Sequence, residues 1–204
     1  MKKKSFFWVG YSDLMTSLFF LMLVLFVVAL VQIKGLNVTI EEQEKILRLN
    51  EQFKPLKQDS SFYYLPECNK YIAKDLMGIE IFNPKQTTIK KEYVKRIKQV
   101  GDKIESFLGK LNSQNSDMSY LLIIEGNMAN KYDYSISKDN NWGYKKSYER
   151  ALAVYKLWLK NNISFRRYNV EVMLCGSGFN GLCRDKKEEN NKRFSIQIIP
   201  KVKY

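Results

Sequence analysis

The stretch MKKKSFFWVGYSDLMTSLFFLMLVLFVVALVQI, residues 1–33, decides how the rest of the chain is read. From residue 14 to residue 33 no side chain carries a formal charge. At about 1.5 Å of helical rise per residue, this run spans the roughly 30 Å hydrocarbon core of a bilayer. Leu, Phe, Val and Met dominate it, no Pro interrupts it, and the one glycine, Gly10, lies at its start. Trp8 and Tyr11 suit the interfacial belt, and Lys2, Lys3 and Lys4 put the N-terminus on the cytoplasmic side. Everything after residue 33 is then expected beyond the inner membrane, in the periplasm. A cleaved signal peptide also has a basic start, but its apolar core is shorter, and Ala29-Leu30-Val31 is no small-x-small cleavage site.

Asp13 is the one acid of this segment. A carboxylate at the centre of a bilayer costs about 2.5–3.5 kcal/mol on insertion scales, and less toward the interface. Such groups mark ion pathways, although an Asp at a helix start also serves as an ordinary cap. Thr16 and Ser17 stand one helical turn away and offer hydroxyls to an ion path, or simply pack a helix interface.

The composition excludes several functions. The 204 residues carry a formal net charge of +13 and no histidine, which removes His-based triads, His metal sites and His pH switches. Most of the positive charge lies beyond residue 33; it suits anionic envelope polymers or lipid head groups, or simply reflects a Lys-rich, Asn-rich composition, the plainer reading. Nucleic-acid motifs are absent, so no nucleic-acid partner is expected. The three cysteines lack CxxC spacing, so neither a metal site nor a cofactor is expected. Cys175 and Cys183 are the candidate disulfide in an oxidising compartment, with Cys68 as a competing partner and buried thiols as the plain alternative. No nucleophile–base pair stands out, and the chain does not read as an enzyme.

Three segments are expected: a cytoplasmic N-terminus and transmembrane helix over residues 1–33, a helical connector over 34–62, and a domain over 63–204. In the connector Ile46, Leu49, Phe53 and Leu56 recur at heptad spacing, while Glu41/Lys45 and Glu44/Arg48 are i,i+4 pairs. This describes either a short dimer helix or a helix packing on its own domain. Beyond it, residues 78–82 read as a strand, 90–111 as an amphipathic helix and 121–124 as a buried strand ending at Glu125-Gly126. A helix over 145–159 and strands over 170–174 and 194–199 follow. The order βαβαββ predicts an α+β two-layer sandwich.

Two resemblances organise these readings. Tyr11-Ser12-Asp13-Leu14-Met15-Thr16, followed by Ser17-Leu18-Phe19-Phe20, resembles the transmembrane segment of the MotB family, the ion-carrying stator subunits of flagellar motors and their relatives. That implies Asp13 as the carrier of H+ or Na+, a multi-span MotA-like or ZorA-like partner in a 5:2 complex, and a homodimer of this chain. Residues 76–200 resemble the OmpA-like peptidoglycan-binding domain. The family's Gly-His-Thr-Asp turn corresponds to Gly126-Asn127-Met128-Ala129. Its Asn-x-x-Leu-Ser-x-x-Arg-Ala motif corresponds to Tyr144 through Arg150-Ala151, and its Asn-Arg-Arg-Val motif to Asn191-Lys192-Arg193-Phe194. Gly176-Ser177-Gly178 matches a Gly-x-Gly after the third strand.

By that resemblance Arg150, Asn127, Tyr144, Asn191 and Arg193 are the peptidoglycan-binding residues. Arg150 is the one expected to fork onto a carboxylate of the peptide stem. The family's Asp is Ala129 here, so half of the clamp is missing; Asp133 or Asp139 is a possible substitute. The combination of span, short connector and compact domain is similar to the stator-like ZorB subunits of Zorya anti-phage defence systems. Flagellar or gliding stators share most of these features, and a passive envelope anchor, with Asp13 only a cap, is the structural rival.

Overall fold

In a computed structural model of the chain, residues 7–53, 56, 60–114, 118–130 and 139–202 are described. The chain divides into two compact units, Met1–Glu51 and Gln52–Tyr204. Lys2, Lys3, Lys4 and Asp133 lie outside the described residues, and the side chains of Glu41, Glu44, Lys45, Ile46, Arg48 and Leu49 lie outside the described side chains.

The first unit is one helix, α1 (Phe7–Gln52, 46 residues), which crosses residue 33 without a break. No proline interrupts the chain before Pro55, so no backbone N–H is lost within the helix. Its segment Gly10–Leu36 is long and apolar enough to cross a membrane. Its 27 residues reach about 40 Å, more than the hydrocarbon core requires. The side chains from Gly10 to Leu36 are exposed all the way round. Such a helix has no protein core to face and finds its apolar environment in lipid or in other subunits.

The second unit opens with Phe53 and Leu56, each 4 % exposed. The Phe53 ring stands edge-on to Phe107 at 5.7 Å and to Tyr120 at 6.4 Å. The last two positions of the apparent heptad seam are therefore spent on the domain's own core. This favours the second of the two readings of the connector at those positions.

Five strands follow: β1 (Phe62–Leu65), β2 (Lys70–Ala73), β3 (Met118–Gly126), β4 (Val170–Gly176) and β5 (Phe194–Val202). Two helices separate them, α2 (Val94–Gln114) between β2 and β3, and α3 (Asn141–Lys160) between β3 and β4. The sheet order is β1-β2-β5-β3-β4. Strand β3 runs parallel to β4, from Tyr120↔Val170 to Gly126↔Gly176, and antiparallel to β5, from Met118↔Val202 to Gly126↔Phe194. The parallel pair needs a crossover, which α3 supplies.

The expected strand over 78–82 is corrected. Ile81 and Phe82 are buried, but they enter only an isolated bridge, Phe82↔Ile89, and one further bond from Lys90 N to Ile81 O. Gly78 has φ of +68°, which breaks an extended run. The first strands are instead the β1–β2 hairpin, in register from Phe62↔Ala73 to Leu65↔Lys70. Its turn carries a 3-10 segment at Pro66–Cys68 and Asn69 in the left-handed region, where Asn is tolerated.

One face of the sheet is covered by the helices. Ile97, Ile104 and Leu108 of α2 and Ala151, Val154 and Trp158 of α3 are at most 1 % exposed. Trp158 joins the layers: its ring meets Phe165 and Phe194 edge-on at 5.6 and 5.9 Å, and its Nε1 donates to Ile97 O at 2.7 Å. The other face stays open, with Met173 46 % and Ile199 36 % exposed. This is the α+β two-layer arrangement that the sequence predicts. Trp158→Ala is expected to lower stability by about 3–5 kcal/mol, as for other buried aromatic truncations; urea unfolding of the detergent-solubilised chain, followed by circular dichroism, checks it.

Candidate functional site

Asp13 lies three residues inside the apolar segment. Thr16 Oγ1 donates to Ser12 O at 2.6 Å and Ser17 Oγ to Asp13 O at 2.9 Å. Both hydroxyls are thus satisfied by carbonyls one turn back, a common resort inside an apolar helix. Asp13, Thr16 and Ser17 share one helix face, as their i, i+3, i+4 spacing requires.

In the second unit the predicted residues gather where β3 and β4 end. Gly126 and Gly176 are paired neighbours there, and α3 crosses directly over them. A Cβ on Gly126 would fall on Ser147 O, and one on Gly176 on the Tyr148 amide. Glycine at these two positions is what lets the first turns of α3 approach the strand ends. Asn140 caps the helix, its Oδ1 accepting from Gly143 N at 3.1 Å, so α3 begins four residues before the expected Lys145. Ser147 Oγ accepts from Gly178 N at 2.9 Å and fixes the Gly176-Ser177-Gly178 loop over the helix.

Arg150 is only 3 % exposed. Its Nε donates to Gln86 O and its Nη1 to Asn127 O, both at 3.2 Å, and its guanidinium lies 5.0 Å over the Phe82 ring. Burial pushes it down to about 10, with Glu80 acting weakly the other way. Arg150 makes no ion pair among the described residues, so its charge is uncompensated at contact distance.

The other predicted residues divide into two groups. Asn127, Asn191 and Arg193 line a small pit with Lys70, Arg184 and Ser195. Asn127 Oδ1 accepts from Ser177 Oγ at 2.7 Å, and its N–H donates to Arg193 O at 3.0 Å. Asn191 spends both ends of its amide on the backbone of Asp185, at 2.8 and 3.0 Å, and so closes the loop before β5. Tyr144 stands apart. Its hydroxyl donates to Asp139 Oδ1 at 2.8 Å, a bond that raises the phenol above its usual range, and Asn180 reaches the same oxygen at 3.5 Å. Asp139 is thereby engaged with Tyr144 and Asn180 rather than with Arg150.

Several residues that the sequence did not single out belong to this region. Lys70 and Glu125 form an ion pair of 2.6 Å, each more than nine-tenths buried, and Lys70 Nζ also donates to Leu182 O at 3.2 Å. Glu188 Oε2 accepts from Arg184 Nη2 at 2.6 Å and from Asn130 N at 2.8 Å. It therefore brings a carboxylate beside the loop that carries Ala129. Arg184 and Glu188 are neighbours at i,i+4 spacing, but Lys70, more than a hundred residues earlier, joins Arg184 only through the fold.

The expected Cys175–Cys183 disulfide is corrected. Cys183 pairs with Cys68, 115 residues away, and Cys175 is a free thiol. Cys175 is held in β4 opposite Glu125, whereas Cys183 belongs to the loop that folds back toward the β1–β2 turn. Sequence proximity favours the shorter loop, but the hairpin, absent from the sequence reading, presents the nearer thiol. Without reductant, one thiol per unfolded chain is expected to react with a maleimide, rising to three after reduction. In the folded chain at pH 8 Cys175 should react slowly, because burial pushes its thiol up to about 11 and leaves little thiolate.

No family model matches the chain, and no curated protein matches it. Among solved structures, the periplasmic domain of Helicobacter pylori MotB is similar at 10 % identity, covering 71 % of this chain and 90 % of that one, with a TM-score of 0.38. The peptidoglycan-associated lipoprotein of Burkholderia pseudomallei is similar at 12 % identity, covering 59 % and 87 %, with a TM-score of 0.35. An outer membrane protein of Borrelia burgdorferi B31 is similar at 20 % identity, covering 57 % and 80 %, with a TM-score of 0.36.

Proposed function

We propose that this chain is a single-span stator-type subunit of the inner membrane, in which Asp13 carries H+ or Na+ and the C-terminal domain holds to peptidoglycan. The observation that carries the reading is the one acid of a 27-residue apolar segment whose side chains, mostly hydrophobic, are exposed. The sequence around it, Tyr-Ser-Asp-Leu-Met-Thr, resembles the MotB-family ion-binding segment. Burial among a partner's helices would favour the protonated carboxyl, and an aqueous opening would release the proton again. Each unit charge moved through the field yields about 2.3 kcal/mol per 100 mV. One helix cannot enclose such a path, so the mechanism requires a multi-span partner; the resemblance implies five copies of it around two of this chain.

Wall attachment rests on Arg150. A guanidinium that is buried, stacked on Phe82 and lacks a carboxylate in contact suits an acidic group brought by a ligand. The chain departs from the family pattern at Ala129, so the ligand's amino group loses the usual Asp. The output in this reading is anti-phage defence, on the resemblance to ZorB subunits; a flagellar or gliding stator is the alternative.

Asp13→Asn is expected to abolish ion-driven activity while the mutant still co-purifies with its partner; retained activity would leave only a passive envelope anchor. Arg150→Ala is expected to cut retention on purified sacculi by about tenfold, the loss typical of a charge-assisted hydrogen bond. Equal retention of mutant and native chains would exclude Arg150 from wall binding.

A further inference from the structure

Strand β4 is one edge of the sheet, and its outer side is unspent. Tyr120 N donates to Asn169 O just before the strand, and Ser177 N to Gly126 O just after it. Backbone groups of successive strand residues turn to opposite sides. Glu171, Met173 and Cys175 therefore bond β3 as well, while Val170, Val172, Leu174 and Gly176 turn their amides and carbonyls outward. Among the described residues no hydrogen bond reaches the backbone groups of Val172 and Leu174.

Proteins usually guard such edges with short strands, lysines, prolines or bulges. The opposite edge, β1, is only four residues long. β4 has seven, VEVMLCG, with no proline or lysine among them, and it pairs with β3 without a slip in register. Its single charge, Glu171, is engaged by Lys201 Nζ of its own sheet at 2.5 Å. Met173 is exposed on the open face, and Val172 and Leu174, on the helix-covered face, are only partly buried. The edge thus offers free backbone donors and acceptors with apolar side chains on both faces.

We propose that β4 docks on β4 of a second copy of this chain, the two strands antiparallel about a two-fold axis at Met173. A closed pair of identical chains meets through the same patch on each. Met173 is the centre of β4, so this axis is the one that overlaps the whole strand. It sets Val172 opposite Leu174 of the second copy. Both are outward residues, and such a pair exchanges two backbone bonds. The register also keeps like charges apart: Glu171 falls opposite Cys175 of the second copy, whereas an axis at Glu171 would set two carboxylates face to face. One strand edge is a modest contact. A segment able to cross a bilayer holds both copies to one membrane and raises their effective concentration, so a modest contact suffices. The proposal names the contact between the two chains that the stator reading supposes, and rests on that reading only for their shared membrane.

The test uses the full chain in detergent micelles with Cys175→Ser, which removes the free thiol and leaves Cys68 paired with Cys183. Met173→Cys is added, and the chain is oxidised briefly with copper–phenanthroline and run on a non-reducing gel. Opposed Cα atoms in a pair without backbone bonds lie about 4.5 Å apart, within reach of a disulfide. A disulfide-linked dimer is expected from Met173→Cys and not from Tyr63→Cys, a site of similar exposure on β1. Val172→Pro removes an outward amide and no bond to β3, so it should abolish the crosslink while circular dichroism shows the fold intact. Leu174→Pro spares the β3 ladder in the same way and serves if the first variant unfolds. A crosslink from Met173→Cys no stronger than from Tyr63→Cys would overturn the proposal and leave the edge to a strand of another protein or to solvent. So would a crosslink that persists in a folded proline variant. Asp13→Asn activity and Arg150→Ala retention read other residues, so the stator reading and this contact fail separately.

Discussion

Helix α3 crosses the ends of β3 and β4 with no space for a methyl group between them, and the candidate site is arranged around that contact. Gly126 and Gly176 make the approach possible. Once α3 is that close, Ser147 reaches the amide of Gly178, and Arg150, one turn later, falls beneath the carbonyl of Asn127. The loop after β3 is then held between the helix on one side and the β5 strand on the other, because Asn127 N bonds to Arg193 O. The backbone there is shared by two arginines that never meet directly. A displacement of α3 would separate Arg150 from Asn127 and loosen the Ser177 contact with it.

Electrostatics at this end of the sheet follow from burial rather than from the chain's overall charge. A surplus of lysines over the surface contributes little, since exposed charges are screened within about 10 Å at ordinary salt. Lys70, Arg150 and Arg193 differ because the fold removes them from water. Lys70 is compensated by Glu125 at contact distance. Arg150 has carbonyl oxygens and an aromatic face, and Asp185 acts on Arg193 from beyond contact distance. Burial lowers the affinity of both arginines for their protons.

The two units solve opposite solvation problems. In α1 the backbone is satisfied within the helix, the hydroxyls of Thr16 and Ser17 are satisfied by their own carbonyls, and the apolar side chains are left outward. That is what a lipid environment requires, since no water is present there to accept a hydrogen bond. In the second unit the apolar side chains turn inward around Trp158, and a disulfide ties the hairpin to the loop before β5.

The sequence by itself determined the elements whose pattern is local. A charge-free run long enough for a bilayer, the 3.6-residue periodicity of α2 and the apolar run of β3 are properties of neighbouring residues, and each reappears in the structure close to where it was expected. Arg150, Asn127 and Arg193 were also legible, through motif spacing, and do come to the same end of the sheet. Tertiary structure decided what depends on distant partners. The segment around Ile81 and Phe82 is apolar enough for a strand but is buried without a ladder, because the β1–β2 hairpin takes the place beside β5. The partner of Cys183, the end of the apparent heptad seam and the meeting of Lys70 with Arg184 around one pit were likewise fixed by the fold. Pairing over more than a hundred residues leaves no periodic trace in sequence; it is settled only when the sheet brings the two ends of the domain together.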